Sequence, residues 1–226
     1  MRAEFSYRAA VAAQPGFVDG NVSLALALAA QGREDDAAAA VPRNGSRRAE
    51  LVFGAIARDR GDAATAEGIL RKIEATAGEP IQRWAQEWLR PPPTGRVVIG
   101  GGGDIGYIAG FSPAERDGSG PFRWLEGAGS LRMPLAPGAA PRRIALRLNG
   151  GPRDTLLNVR FADGSERTVM VAGGQWRVYE LPLPNAPPGA AVTLHLSAPT
   201  FIPALQNPAS DDSRALSMML ADVSLR

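Results

Sequence analysis

The chain has 226 residues, 45% hydrophobic and 21% charged, with 25 basic and 23 acidic side chains. That is apolar enough for one large or two small cored domains and too apolar for a disordered tail, and no apolar run approaches the ~18 residues a membrane span needs. The absence of cysteine excludes disulfides, thiolate chemistry and cysteine zinc sites, and a single histidine, His195, leaves little for His-based metal sites or proton relays.

The first ninety residues read as helices. Alanine and leucine dominate, and only Pro15, Pro42 and Pro80 interrupt them. Apolar residues recur at helical spacing, as in Leu24, Leu26, Ala27 and Ala30, and again in Leu51, Phe53, Ala55 and Ile56. Gly32 and Gly61 each lie between two such stretches, five residues before Ala37 and Ala66. The pattern predicts tight helix–turn–helix units in which each alanine lets the helices approach closely. Pro42-Arg43-Asn44-Gly45-Ser46 should cut one helix short. A last helix is predicted from about Pro80 to Leu89, with Ile81, Trp84, Trp88 and Leu89 on one face. Those indoles are expected to cap the helices or dock on the second domain, an exposed aromatic site being the alternative. Glu4 and Arg8 break any signal-peptide core.

Arg90-Pro91-Pro92-Pro93-Thr94-Gly95 cannot continue a helix and reads as a stiff extended linker. The remaining 16 of the 19 prolines lie beyond residue 90. There, short runs recur about every ten residues between Gly, Pro and Asn-Gly turns. The expected strands are 96–99, 105–109, 122–125, 130–134, 142–148, 156–161, 167–171, 176–181, 191–197 and 215–225. Ile144, Leu146 and Leu148 alternate with Arg143, Ala145 and Arg147, so one face is buried, and Asp163-Gly164 is a hairpin turn. The expected architecture is multidomain, α then all-β: helices over 1–90, a linker over 91–95, and an antiparallel β-sandwich, a jelly roll, over 96–226.

Several chemistries can be weighed on residues. All basic residues but Lys72 are arginine, and no cluster exceeds pairs such as Arg47/Arg48 and Arg142/Arg143, so no nucleic-acid footprint is expected. Gly101-Gly102-Gly103-Asp104-Ile105-Gly106 fits a dinucleotide fingerprint after a strand-like run, with Glu126 twenty residues on. The required helix cannot form next, because Gly110, Pro113, Gly118, Gly120 and Pro121 occupy its place. His195 falls on the polar side of an alternating strand, and no G-x-S-x-G elbow accompanies it. Asp104, Glu115, Asp117, Glu126, Asp211 and Asp212 could supply the paired carboxylates of a glycosidase, at a separation sequence does not reveal. Two constellations remain. One joins Asp104 and Tyr107 to Phe122-Arg123-Trp124; the other joins Thr200-Phe201-Ile202-Pro203 to Asp212-Ser213-Arg214. Aromatic rings with Asp and Arg suit a sugar's apolar face and hydroxyls. The plainer alternatives are buried strand residues at 122 and 124 and a loop-tying Asp212–Arg214 ion pair. No metal or cofactor site is predicted.

The glycine and alanine spacing over residues 3–78 resembles tetratricopeptide repeats, departing from them at Pro42–Ser46. The resemblance implies an array that begins inside a longer one, so that the chain would be an excised soluble fragment. The blocks GYIAGFSPAE, FRW, WRVYELPLP, TFIP and DSRALSMMLADVSL look like a sandwich domain found in soluble C-terminal regions of bacterial polytopic membrane proteins similar to glycosyltransferases. One departure is Ala215-Leu216-Ser217, where Leu-Gly would be expected. Such sandwiches resemble carbohydrate-binding modules. The resemblance implies a non-catalytic module for a glycan or protein partner, held on the extracytoplasmic side of a bacterial membrane by a parent protein. Tyr107 and Trp124 would stack on sugar, and Asp104, Arg123, Asp212 and Arg214 would hydrogen-bond or line the site. A pure protein scaffold through the helices and a polysaccharide hydrolase are the alternatives.

Overall fold

The alanine-rich start folds into five helices: α1 (Arg2–Ala13), α2 (Val18–Ala29), α3 (Glu34–Ala40), α4 (Arg47–Asp59) and α5 (Ala63–Glu74). This computed structural model describes residues 2–184 and 191–226. The α2–α3 and α4–α5 turns are built alike. Gly32 and Gly61 take φ +71° and +81°, the left-handed region that glycine reaches without strain. The amide after each glycine donates back into the preceding helix, Arg33 to Leu28 and Asp62 to Ala57. Each helix thus ends in a Schellman motif. Ala37 and Ala66 are buried, and a Cβ on Gly54 would lie 2.8 Å from Leu70, so α4 and α5 pack closely. Val41, extended ahead of Pro42, ends α3 after seven residues.

Contacts divide the chain into Met1–Ile73 and Glu74–Arg226. This division falls ahead of the proline segment at 91–93, and it puts the sixth helix, α6 (Glu79–Trp88), in the second unit with the strands. The strands are β1 (Arg96–Val98), β2 (Ile108–Phe111), β3 (Glu115–Asp117), β4 (Gly120–Pro134), β5 (Arg143–Asn149), β6 (Thr155–Phe161), β7 (Glu166–Val171), β8 (Arg177–Pro182), β9 (Ala191–Ser197) and β10 (Met219–Leu225), with a short helix α7 (Pro203–Gln206) before the last. Every pairing between these strands is antiparallel. One sheet runs from the first part of β4 and from β1 through β10 and β5 to β8; the other runs β2, second part of β4, β9, β6, β7. Their inner faces, including Ile144, Leu146, Leu148, Leu157, Val159, Leu194 and Leu196, close one core.

The sequence predicts two strands at 122–125 and 130–134; the structure has one, β4, fifteen residues long. It crosses from one sheet to the other, pairing Trp124 with Met219 and then Ala128 with Ser197. Gly127, at φ +82°, stands at the crossing, where β2 also approaches: a Cβ on Gly110 would lie 2.3 Å from the Ala128 carbonyl oxygen. The Gly101–Gly106 run is a loop entering β2 with no helix after it, which removes the dinucleotide geometry.

Candidate functional site

The six predicted site residues separate into two groups. Asp104 and Arg123 form an ion pair whose side chains are both 0% exposed. The Arg123 guanidinium donates from Nε to Asp104 Oδ2 at 2.6 Å and from Nη2 to Oδ1 at 3.1 Å. Its other donors reach the carbonyls of Ala77 (3.0 Å), Ser112 (2.9 Å) and Glu74 (2.6 Å), and Asp104 Oδ2 also accepts from the Gly100 amide at 2.7 Å. All five donors of the fork are used inside the protein. Tyr107 is 6% exposed, and its hydroxyl donates to the Pro92 carbonyl at 2.7 Å. Burial therefore corrects three expectations. Asp104, Tyr107 and Arg123 fasten segment 74–107 to the sandwich and present no surface to a ligand.

Trp124 is linked to the Asp212–Arg214 loop through intermediates: Phe201 meets its ring and bridges Leu216, and Glu115, which accepts from Arg214, pairs with Phe122 on β4. Alternation along β4 sends Arg123 and Leu125 inward and Phe122 and Trp124 to the other face. Trp124 lies in register with Met219 and, one strand further, Asn149. Continuing the Leu148–Arg177 register by one step brings Trp176 opposite Asn149. Four rings form a chain. Phe122, itself buried, lies 6.3 Å from Trp124 and 5.7 Å from Trp176, and Phe201 meets Trp124 edge-on at 5.8 Å. Trp124, Trp176 and Phe201 are partly exposed. Gly151 makes room for the Trp124 ring, since a Cβ there would stand 3.0 Å from it.

Charged groups frame the rings. Arg214 donates to both Asp212 oxygens, at 2.9 and 2.7 Å, and to Glu115 Oε1 at 2.7 Å, tying the loop before β10 to β3. The guanidinium hydrogen bonds hold the Asp212 carboxyl below its ordinary range. Asp117 accepts the Trp176 indole N–H at 2.9 Å, which likewise lowers its pKa, and Arg147 lies 4.9 Å above the same ring. Glu126, two residues beyond Trp124 on the same face of β4, is pushed up, chiefly by burial, against the opposing pull of Arg214.

Trp176, Asp117 and Arg147 belong to this cluster without having been predicted in it. Phe201, named in sequence beside Asp212, does join it. The available signal for Trp176 is its place at the start of a strand after Gly173-Gly174. Nothing local links it to Trp124, because the neighbourhood is made by β10 and β5 lying between their strands. His195 is exposed on the outer face of β9, opposite Arg160 and Ser130, as its alternation predicts. Among the described residues, no group of three or more His, Cys, Asp or Glu is placed to hold a metal ion, and no helix is long and apolar enough to cross a membrane.

No protein-family model and no curated protein matches the chain. Similar solved structures include carbohydrate-binding modules and carbohydrate-active enzymes, among them a family two carbohydrate esterase from Cellvibrio japonicus, 8% identical at TM-score 0.34, covering 57% of this chain and 32% of that one. The module CsCBM6-3 from Clostridium stercorarium, in complex with cellobiose, is 11% identical with a TM-score of 0.34, covering 51% of this chain and 81% of that one. A CBM36 module in complex with calcium and xylotriose is 12% identical at TM-score 0.36, covering 58% and 98%. A β-1,3-glucan-binding CBM6 from Bacillus halodurans is 14% identical at TM-score 0.37, covering 59% and 96%. The sandwich itself is defined by its strand pairings.

Proposed function

We propose that residues 74–226 form a non-catalytic glycan-binding module. The observation that carries this reading is the chain of rings from Trp176 through Phe122 and Trp124 to Phe201, three of them partly exposed and bordered by Asp117, Arg147, Asp212 and Arg214. A partly wet aromatic edge offers apolar area to the C–H face of a sugar, while the fixed charges beside it can meet hydroxyls. Trp124 and Phe201 are the contact rings; Trp176 is braced by Asp117 and Arg147. Binding to a panel of immobilised oligosaccharides tests the reading. Trp124→Ala should weaken the best ligand by roughly thirtyfold, as loss of a central aromatic anchor does, with the thermal unfolding profile retained. Absence of binding to any glycan would overturn it.

The helices of Met1–Ile73 are proposed as a tetratricopeptide-like partner-binding array, supported by the duplicated glycine turns of α2–α3 and α4–α5. The blocks GYIAGFSPAE, WRVYELPLP and DSRALSMMLADVSL support placing both units as accessories to a membrane glycosyltransferase-like protein, on the extracytoplasmic side. One observation favours a second reading, a polysaccharide hydrolase: Glu126 is pushed up while Asp212, which shares Arg214 with it, is held down. Such a split suits an acid and a nucleophile or base. Reducing-sugar release that disappears in Glu126→Gln would establish it, and intact polysaccharide after prolonged incubation would remove it.

A further inference from the structure

Outside the ring chain, the outer face of the β1–β10–β5–β8 sheet holds a shallow depression of about 330 Å³ lined by Arg96, Ala145, Arg147, Val178, Asp222 and Ser224, with Arg226 at its end. Strand register orders this face into three rows. Val98, Asp222, Arg147 and Val178 form the first, and Arg96, Ser224, Ala145 and Glu180 the second. Arg143 and Arg226, joined by reciprocal backbone hydrogen bonds, form the third. Rows on one face of a strand are about 7 Å apart, so arginine recurs at that interval. Only Asp222 and Glu180 oppose the four arginines in these rows. Arg96 pairs with Asp222 at 2.7 Å, and Arg143 and Arg226 share the single Glu180. The Arg96, Arg143 and Arg226 side chains remain more than half exposed. Arg147 is held by the Trp176 ring and the Ser119 carbonyl, with the Asp117 carboxylate within electrostatic reach and no direct ion pair between them. The small Ala145 and Ser224 keep the middle of the face low, and Val98 and Val178, 42% and 56% exposed, add apolar surface.

We infer that this face binds an acidic polysaccharide that carries carboxylates at intervals along its length. The inference rests on the glycan-binding reading and names its ligand class. A single small anion would call for donors converging on one point, whereas these arginines are spread along a track. Excess positive charge spaced along a shallow floor suits a chain with repeated negative groups, and guanidinium forks suit carboxylates. Arg147 joins the track to the aromatic chain through Trp176, so one saccharide can lie across both.

Polygalacturonate, neutral xylan and a single-stranded oligonucleotide, titrated into the full chain, test the inference. Polygalacturonate should bind at least about tenfold more tightly than xylan at low salt, and added salt should erode the difference. The Arg96→Gln/Arg226→Gln double variant changes only exposed side chains. It should lose about tenfold for polygalacturonate and nothing for xylan, whereas Trp124→Ala should weaken both. Equal binding of the two polysaccharides, an unchanged double variant, or equal competition by the oligonucleotide would overturn the acidic-ligand inference. Xylan binding alone, or binding of neither polysaccharide, would overturn this inference; the glycan reading falls only if the oligosaccharide panel is also unbound.

Discussion

Arg123 shows how far one residue's role can depend on its surroundings. In sequence it sits between two aromatic residues and suits a sugar hydroxyl; in the fold it is sealed, with Asp104 and three carbonyls around it. A buried pair of this kind gains little over a hydrophobic pair, but breaking it strands a charge. Arg123→Gln should therefore cost about 3–5 kcal/mol, read by denaturant unfolding, and Arg123→Met/Asp104→Leu should cost less than the sum of its two single changes. Glu126 gives a pH prediction. Burial raises its folded pKa above the unfolded value, so the folded state binds the proton more tightly, and stability falls as pH rises from the unfolded value through the folded one. Glu126→Gln should accordingly raise the thermal midpoint at pH 7 and change it little at pH 4. An equal shift at both would contradict the assignment.

At the scale of elements, α6 departs most from expectation. Its apolar face is predicted to be Ile81, Trp84, Trp88 and Leu89. The residues it buries are Gln82 and Ala85; Leu89, extended just past its end, is buried as expected, and Trp88 is 47% exposed. The reason lies in β2, an edge strand whose outer peptide groups have no neighbouring strand among the described residues. Gln82 supplies the missing pairing: its Oε1 accepts from the Phe111 amide at 3.0 Å, and its Nε2 donates to the Phe111 carbonyl at 2.8 Å. Gln86, one turn on, donates to the Tyr107 carbonyl at 3.1 Å. A helix thus covers a sheet edge with polar side chains. Gln82→Leu should leave the Phe111 groups buried without these partners and cost about 3 kcal/mol, measured by chemical denaturation. Gly110→Ala, which meets the Ala128 carbonyl at the strand crossing, should be worse still and should lower soluble yield.

For the whole molecule, these buried polar contacts decide what the second unit needs in order to fold. Residues 74–95 supply carbonyls to Arg123, glutamines to the β2 edge and the Pro92 carbonyl to Tyr107. A chain spanning 74–226 should therefore unfold cooperatively. One spanning 96–226, cut where the composition changes, should lose several kcal/mol or fail to fold, as circular dichroism and thermal melting would show. A composition shift marks where helix-forming residues stop, and it need not coincide with where contacts divide.

The sequence by itself determined the local structure. Alternation in Ile144–Leu148 and Ala191–Ser197, the glycine turns at 32 and 61, the break at Pro42 and the surface position of His195 all come from short-range rules of period and backbone freedom. Tertiary structure alone decided which residues became neighbours. The pairing of β10 with both β4 and β5 brought Trp124 and Trp176 into one chain of rings, and the closing of segment 74–107 onto Arg123 took Asp104, Tyr107 and Arg123 off the surface. Period tells which side of a strand a residue faces; only the order of strands, and the segments lying over them, tells whether that side meets water.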